Sequence, residues 1–91
     1  MKKTIDLNIN GEDKKVTLQN VPAIEALNLR KRCKDKGDID EVKFYKELLE
    51  HIVVSPKLTV NDFDYDVGTL EELMKEVITF VYGKNTPGKQ K

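Results

Sequence analysis

Apolar and polar residues alternate over the first part of the chain, in the stretch TIDLNINGEDKKVTLQNV. Alternation with a period of two is typical of a β-strand that buries one face and exposes the other. The apolar members are Ile5, Leu7, Ile9, Val16 and Leu18. Asn10-Gly11 separates the two runs and supplies the positive φ angles that a tight hairpin turn needs. The pattern therefore predicts a β-hairpin over residues 4–20, whose apolar face must pack on helices or on another chain because an isolated hairpin is marginal in water.

The period changes to that of a helix after the hairpin. Pro22 suits the first turn of a helix, where its missing N–H would have no partner, and Asn20 lies upstream as a candidate cap. The basic residues that follow favour the carboxyl end of a helix, and Gly37 is expected to end it. The first helix is therefore predicted over about residues 22–35.

A second helix is predicted over about residues 39–54. Asp38 and Glu41 have the spacing of a capping box, and Ser55-Pro56 stops the helix because a residue before proline is pushed out of the helical region. Apolar residues then recur at steps of three and four. This stripe consists of Val42, Tyr45, Leu48, Leu49, Ile52 and Val53.

Residues 57–68 are predicted to form a loop, with a single helical turn begun at Thr59. A third helix follows over residues 69–82, opened by a capping box of Thr69 and Glu72 and ended by Gly83. Its apolar stripe is Leu70, Leu73, Met74, Val77, Phe80 and Val81. Residues 84–91 are polar and basic, which predicts a flexible, disordered tail. The fold class is therefore α+β, with one small domain over residues 1–83 that contains a hairpin and about three helices.

Composition narrows the class of protein. The chain has 91 residues, of which 38% are apolar and 35% charged, and it has one cysteine, so it cannot form an internal disulfide. The two lysines near the start are followed by no apolar run of the kind that a signal peptide needs, and no stretch is long enough to cross a bilayer. These features predict a cytoplasmic protein without a membrane partner.

The net charge is zero, but the charges are unevenly distributed. Residues 1–37 hold nine Lys/Arg against five Asp/Glu, residues 38–83 hold four against eleven, and residues 84–91 add three lysines. Two explanations fit this pattern. The charges are scattered over solvated faces, or oppositely charged segments attract copies of the chain to one another, in which case the protein is a homo-oligomer. A strongly basic nucleic-acid binder is not indicated.

The stretch NDFDYDVGTLEE resembles a calcium-binding loop at first sight. Counting from Asp62, Asp64 and Asp66 fall at the third and fifth ligand positions of an EF-hand loop, but the glycine comes one residue late and the twelfth position is Leu73. The aspartates are better interpreted as turn formers and as negative charge before a helix N-terminus. The sequence therefore predicts no metal site here.

Other candidates for local chemistry are equally incomplete. Residues 83–89 match the start of a phosphate-binding loop, but Gln90 stands where the magnesium-binding hydroxyl should be. His51 is the single histidine, and with Cys33 it makes a nucleophile pair only if the fold brings the two together. The sequence therefore predicts no catalytic residue, no cofactor and no enzyme, although an enzyme subunit or a metal module stays an alternative.

A basic cluster at the end of the first helix provides the other alternative. It consists of Arg30, Lys31, Arg32 and Lys34. The alternative is a small nucleic-acid-binding regulatory protein that contacts phosphates through this cluster. The second helix carries Glu41, Glu47 and Glu50, which phosphates would repel, so nucleic acid is not the expected partner.

The layout from about Pro22 to Gly83 resembles the small tail assembly chaperones of long-tailed bacteriophages and prophages of Gram-positive bacteria. The resemblance is carried by the stop VSPK after the second helix, the loop DFD, and the helix LEELMKEV with its ending FVYG. It implies a non-enzymatic protein that binds the helical tape-measure protein, keeps its apolar surface from aggregating, and assists the tail-tube protein to assemble in the bacterial cytoplasm.

The third helix provides the candidate partner-binding residues. They are Met74, Phe80, Val81 and Tyr82. Methionine and aromatic side chains adapt to varied partners, which would suit a groove for an amphipathic client helix. The same stripe also serves as core, so the sequence leaves both roles open.

Overall fold

A computed structural model describes residues 2–83 of the chain. Five strands, three α-helices and one 3₁₀ helix follow one another in that range. They are β1 (Lys2–Ile9), β2 (Glu12–Gln19), α1 (Ala23–Arg32), β3 (Lys34–Asp35), β4 (Asp38–Ile39), α2 (Glu41–His51), β5 (Val53–Ser55), the 3₁₀ helix (Val60–Phe63) and α3 (Val67–Tyr82). The α+β class and the hairpin followed by three helices are confirmed, and the predicted tail at residues 84–91 lies outside the described residues.

The N-terminal hairpin forms as its pattern predicts. Strands β1 and β2 pair antiparallel over their whole length, from Lys2 opposite Gln19 to Ile9 opposite Glu12. The two turn residues have positive φ angles, 54° at Asn10 and 85° at Gly11. Such angles are found in the primed turns whose twist matches that of the flanking strands.

The two faces of the hairpin differ as the alternation predicts. The inner face buries Leu7, Ile9, Val16 and Leu18, and Ile5 is partly buried at its end. On the outer face, polar side chains pair across the strands. The pairs are Thr4 with Thr17 at 3.3 Å, Lys15 with Asp6 at 2.8 Å, and Asn8 with Asp13 at 2.8 Å. Since α3 packs against β1, the hairpin covers its apolar face with the helices of its own chain.

Helix α1 is shorter than predicted at its carboxyl end. It ends at Arg32 rather than near residue 35, and its cap is Pro22 with no side-chain hydrogen bond. The prediction of Asn20 as a cap is wrong, because its side-chain oxygen accepts from the backbone N–H of Val21 and its amide donates to the backbone oxygen of Phe80.

A very short hairpin replaces the predicted end of that helix. Strands β3 and β4 pair antiparallel around Lys36 and Gly37, whose φ angles are 54° and 90°. The backbone N–H of Asp40 donates to the carbonyl of Cys33 over 2.7 Å and closes the unit. Gly37 is therefore a hairpin turn residue and not a helix terminator, because a positive φ suits both roles and the pairing of flanking residues decides between them.

Helix α2 begins two residues later than the capping-box spacing of Asp38 and Glu41 predicts. Asp40, not Asp38, is the N-cap, and its carboxylate accepts from the backbone N–H of Lys43 over 3.2 Å. The predicted stripe also needs correction. Phe44 is buried with Leu48 and Leu49, whereas Val42 is 59% exposed.

The predicted end of the second helix is wrong because a third strand takes its place. The helix ends at His51, and β5 joins β2 with Thr17 opposite Ser55 and Leu18 opposite Val53. The sheet order is β1-β2-β5, and the peptide bond between Ser55 and Pro56 is cis. The stripe's last residue, Val53, is therefore buried in a strand and not on a helix.

The helical turn predicted at Thr59 is present as the 3₁₀ helix. The side chains of Thr59 and Asp62 form a capping box there. Helix α3 then begins at Val67, two residues before the predicted start, and its N-cap is Asp66 rather than Thr69. Gly83 caps the carboxyl end with a φ of 74°, which confirms the predicted stop.

One apolar cluster joins the inner face of the sheet to the helices. Its fully covered members include residues from all layers, namely Val16, Leu18, Cys33, Leu48, Ile52, Val53, Leu73 and Val77. No polar or charged residue among the described ones is buried. The surface must therefore supply any functional polar group.

Candidate partner-binding surfaces

The candidate residues at the end of α3 lie against the core. Met74 is only 1% exposed, so its side chain offers no surface in this conformation. Phe80, Val81 and Tyr82 are partly buried and pack against the apolar cluster. The structure therefore brings these residues together as packing groups and leaves only part of the last three accessible.

Tyr82 connects the end of α3 to α1 and α2. Its hydroxyl donates to the backbone oxygen of Ala26 over 2.7 Å, and the guanidinium of Arg30 lies 5.0 Å from the centre of its ring. Its ring centre is 6.2 Å from that of Phe44, with the planes tilted by 43°. Burial raises the pKa of the Tyr82 hydroxyl, so it stays a neutral donor to that carbonyl at neutral pH.

The three aspartates of the DFDYD stretch serve different local purposes. Asp62 accepts the backbone N–H of Thr59 over 2.7 Å, and Asp66 accepts both the N–H and the hydroxyl of Thr69. These hydrogen bonds hold the pKa of Asp66 below its ordinary value. Asp64 sits between them with a φ of 54°. Their interpretation as turn and cap residues is confirmed.

The described residues contain one group of potential metal ligands, and it lies elsewhere. Glu47, Glu50 and His51 project from one turn of α2, with ligand atoms within 4.8 Å of one another. Oε1 of Glu47 already accepts from Arg32 over 2.8 Å and lies 3.2 Å from Nε2 of His51. The hydrogen bond from Arg32 lowers the pKa of Glu47, so this carboxylate is the acidic partner of an ion pair between α1 and α2.

The remaining chemical candidates are occupied or covered. Cys33 is completely buried, and burial raises the pKa of its thiol, which makes it a poor nucleophile. In the basic cluster, Arg30 stacks on Tyr82 and Arg32 pairs with Glu47. Lys31 and Lys34 are exposed. Two of the four cations are thus already engaged within the chain.

A groove that the sequence did not indicate lies between α2 and residues 57–61, which include the start of the 3₁₀ helix. Its volume is about 600 Å³. It is lined by Lys46, Leu49, Glu50, Lys57, Leu58, Thr59, Val60 and Asn61. We call this surface the α2 groove. Its floor is formed by Leu49 and Leu58, which are 1% and 7% exposed, its apolar side by the partly buried Val60, and its rim carries charge. No periodicity could have revealed the groove, because its walls are brought together only by the tertiary fold.

Several large apolar side chains are exposed outside the groove. They are Ile24, Leu27, Val42, Tyr65 and Val67. Ile24 and Leu27 are three residues apart on α1, so they share one side of that helix. Tyr65 is 95% exposed next to the cap of α3. Val42 lies on α2, and Val67 is the first residue of α3.

Comparison of the chain with protein-family models, with curated proteins and with solved structures finds no match. In residues 2–83, no helix is both long enough and apolar enough to cross a membrane.

Proposed function

We propose that this chain is a non-enzymatic tail assembly chaperone of bacteriophages, which binds the tape-measure protein and assists assembly of the tail-tube protein in the bacterial cytoplasm. Two things support the proposal, the resemblance in sequence from Pro22 to Gly83 and the α2 groove. The groove is the observation that carries it, because a chaperone for a helical client needs an apolar surface bordered by polar groups.

The α2 groove has the chemistry that an amphipathic helix would require. Leu49 and Leu58 line its floor but are only 1% and 7% exposed, so the partly buried Val60 offers most of its apolar contact. The exposed Lys46 and Lys57 contribute positive charge. Nζ of Lys57 donates to the backbone oxygen of Glu50 over 2.6 Å, so one cation of the rim is held in place. A client helix with an apolar stripe at i, i+3 and i+4 and acidic residues beside it would bury the stripe and pair with the lysines.

The candidate residues of α3 take a second role in this proposal. Because Phe80, Val81 and Tyr82 pack on the core, they stabilise the helices that form the groove and do not themselves provide the main contact. In this proposal the tape-measure client therefore binds α2 and residues 57–61, a choice that the shape and charge of this surface support.

A binding experiment with synthetic helices tests the proposal. Labelled helical peptides cut from a tape-measure protein are titrated with the pure chain, and fluorescence anisotropy is recorded. Lys46→Glu and Val60→Asp should each weaken binding by about tenfold or more, since one reverses a rim charge and the other puts a carboxylate beside the apolar floor. Circular dichroism checks that both variants keep their helix content.

Lys31→Glu is the matched control, because it makes the same charge change at an exposed position of α1 away from the groove. Binding that is equally weakened by the control would show a general charge effect and refute the groove as the site. If no tape-measure peptide binds at concentrations up to about 100 μM, the client proposal is refuted.

A further inference from the structure

Strand β1 forms an open edge of the sheet. In the order β1-β2-β5, every residue from Lys2 to Ile9 pairs with β2 on one side, and none of the strands within residues 2–83 lies on the other side. An edge of eight residues is long for so small a sheet, and its outward backbone groups are a template for another strand.

The register of the hairpin shows which backbone groups face outward. Ile9 and Glu12 flank the two-residue turn, and in such a hairpin this pair exchanges both hydrogen bonds. The odd-numbered residues of β1 therefore bond to β2. The N–H and C=O groups of Lys2, Thr4 and Asp6 point away from it, towards any strand that adds to the edge.

We propose that β1 pairs antiparallel with β1 of a second copy of this chain, about a two-fold axis at Thr4. Lys2 of each copy then lies opposite Asp6 of the other, and Thr4 lies opposite Thr4. The three pairs use the outward N–H and C=O groups and exchange two hydrogen bonds each, as pairs of this kind do in antiparallel sheets. The outcome is one continuous sheet through both copies.

Charge selects this register among those that the two-fold symmetry permits. An axis at Asp6 would place the two Asp6 carboxylates opposite each other, and like charges in that position are unfavourable. An axis at Ile5 would place Lys2 opposite Asn8 and leave its charge without a direct partner. Only the axis at Thr4 makes two opposite-charge pairs.

The side chains around the axis fit this arrangement. The carboxylate of Asp6 is 80% exposed, and only one of its oxygens is within hydrogen-bond distance of Lys15, so it can also accept from Lys2 of the other copy. On the inner face, Lys3 of one copy lies opposite the partly buried Ile5 of the other. The ammonium group of Lys3 is paired with Glu76 of α3 over 3.4 Å, which leaves its aliphatic stem to cover apolar surface.

The size of the contact determines how the pairing should be measured. Five residues from each edge bury less than the roughly 1,200 Å² of a standard interface, so the dimer should be weak and should depend on concentration. Its two ion pairs are exposed, so it should also weaken with salt. The inference stands without any client, because no residue of the α2 groove takes part in it.

A charge-exchange experiment tests both the surface and the register. The masses of wild type, Lys2→Glu and Asp6→Lys are measured by sedimentation equilibrium at low salt, up to about 1 mM protein. Wild type should form dimers, and each variant should dimerise at least about tenfold more weakly because its own pairs become repulsive. An equimolar mixture of the two variants should regain dimers. In the mixed dimer the new glutamate of one variant faces the new lysine of the other, and the unchanged Asp6 and Lys2 still face each other across the axis.

Lys31→Glu again serves as the charge control and should dimerise as wild type does. A wild-type chain that stays monomeric at every concentration overturns the proposal. So does a dimer that both variants retain, or a mixture that gains nothing over its components. The dimer experiment uses no groove variant, so a negative result here does not bear on client binding. A negative result in the client assay likewise does not bear on the dimer.

Discussion

The hydroxyl of Tyr82 gives the sharpest test of how the helices are held together. Replacing it by phenylalanine keeps the ring over Arg30 and beside Phe44, and it removes only the hydrogen bond of 2.7 Å to the carbonyl of Ala26. That carbonyl keeps its own helical partner four residues on, so no buried acceptor is left without a hydrogen bond. The loss should be that of one ordinary hydrogen bond, about 1 kcal/mol.

Urea unfolding followed by circular dichroism at the helical band measures this loss. For a domain of this size the midpoint should fall by about 0.5–1 M with an unchanged slope. In a thermal scan the midpoint should fall by roughly 4–8 °C.

The other two tyrosines are built-in controls. The hydroxyl of Tyr65 lies on a side chain that is 95% exposed, and that of Tyr45 donates to Glu41 over a longer 3.3 Å at the surface. Tyr65→Phe should leave the free energy of unfolding within about 0.3 kcal/mol of wild type, and Tyr45→Phe within about 0.5. If Tyr82→Phe is no more destabilised than Tyr65→Phe, the proposed contribution of the Tyr82 hydroxyl to the stability of the helix packing is refuted.

Three further predictions follow from the placement of α2. Asp40→Ala should lower the free energy of unfolding in urea by about 1 kcal/mol, whereas Asp38→Ala should lower it by almost nothing. A larger loss for Asp38→Ala would show that Asp38 caps the helix, as its sequence spacing predicted, and would contradict Asp40 as the N-cap. Leu48→Ala should cost about 2–5 kcal/mol because Leu48 is fully buried, whereas Val42→Ala at an exposed site should cost less than about 0.5 kcal/mol, and equal losses would contradict the burial of this helix. The hydrogen bond from Arg32 lowers the pKa of Glu47 from its ordinary value of 4.5, so the unfolded chain binds the proton more tightly than the folded chain. The stabilisation is therefore complete above pH 4.5 and is lost as the pH falls through the lower folded value. The thermal midpoint of Glu47→Gln should decline less steeply in that acid range than the midpoint of wild type.

The hairpin and the third helix were predictable because their signals are local. The turn at Asn10 and Gly11 requires positive φ angles that few residues adopt, and the alternation around it specifies which face is buried. The stripe of α3 likewise repeats along the helix, and Gly83 ends it. Neighbouring residues carry all of this information.

The candidate site was predictable only in part. The sequence identified Met74 and Tyr82 as large adaptable side chains on one helix, but a stripe of this kind has the same spacing in a core and on a binding surface. Their burial depends on α1, α2 and the sheet, which cover them. The α2 groove has no sequence signature, because its walls come from a helix and a loop that meet only in the folded chain.

The sequence by itself determined the α+β class, the hairpin with its buried face, and the approximate positions of three helices. The tertiary structure decided where α1 and α2 end and which apolar residues become strand. Val53 continues the apolar stripe of α2, yet it lies in β5, where it pairs with Leu18 on the second edge of β2. Local propensity does not contain that pairing, since the partner strand lies more than thirty residues away in the chain. Pairing between distant segments therefore overrode the helical pattern at the point where the two competed.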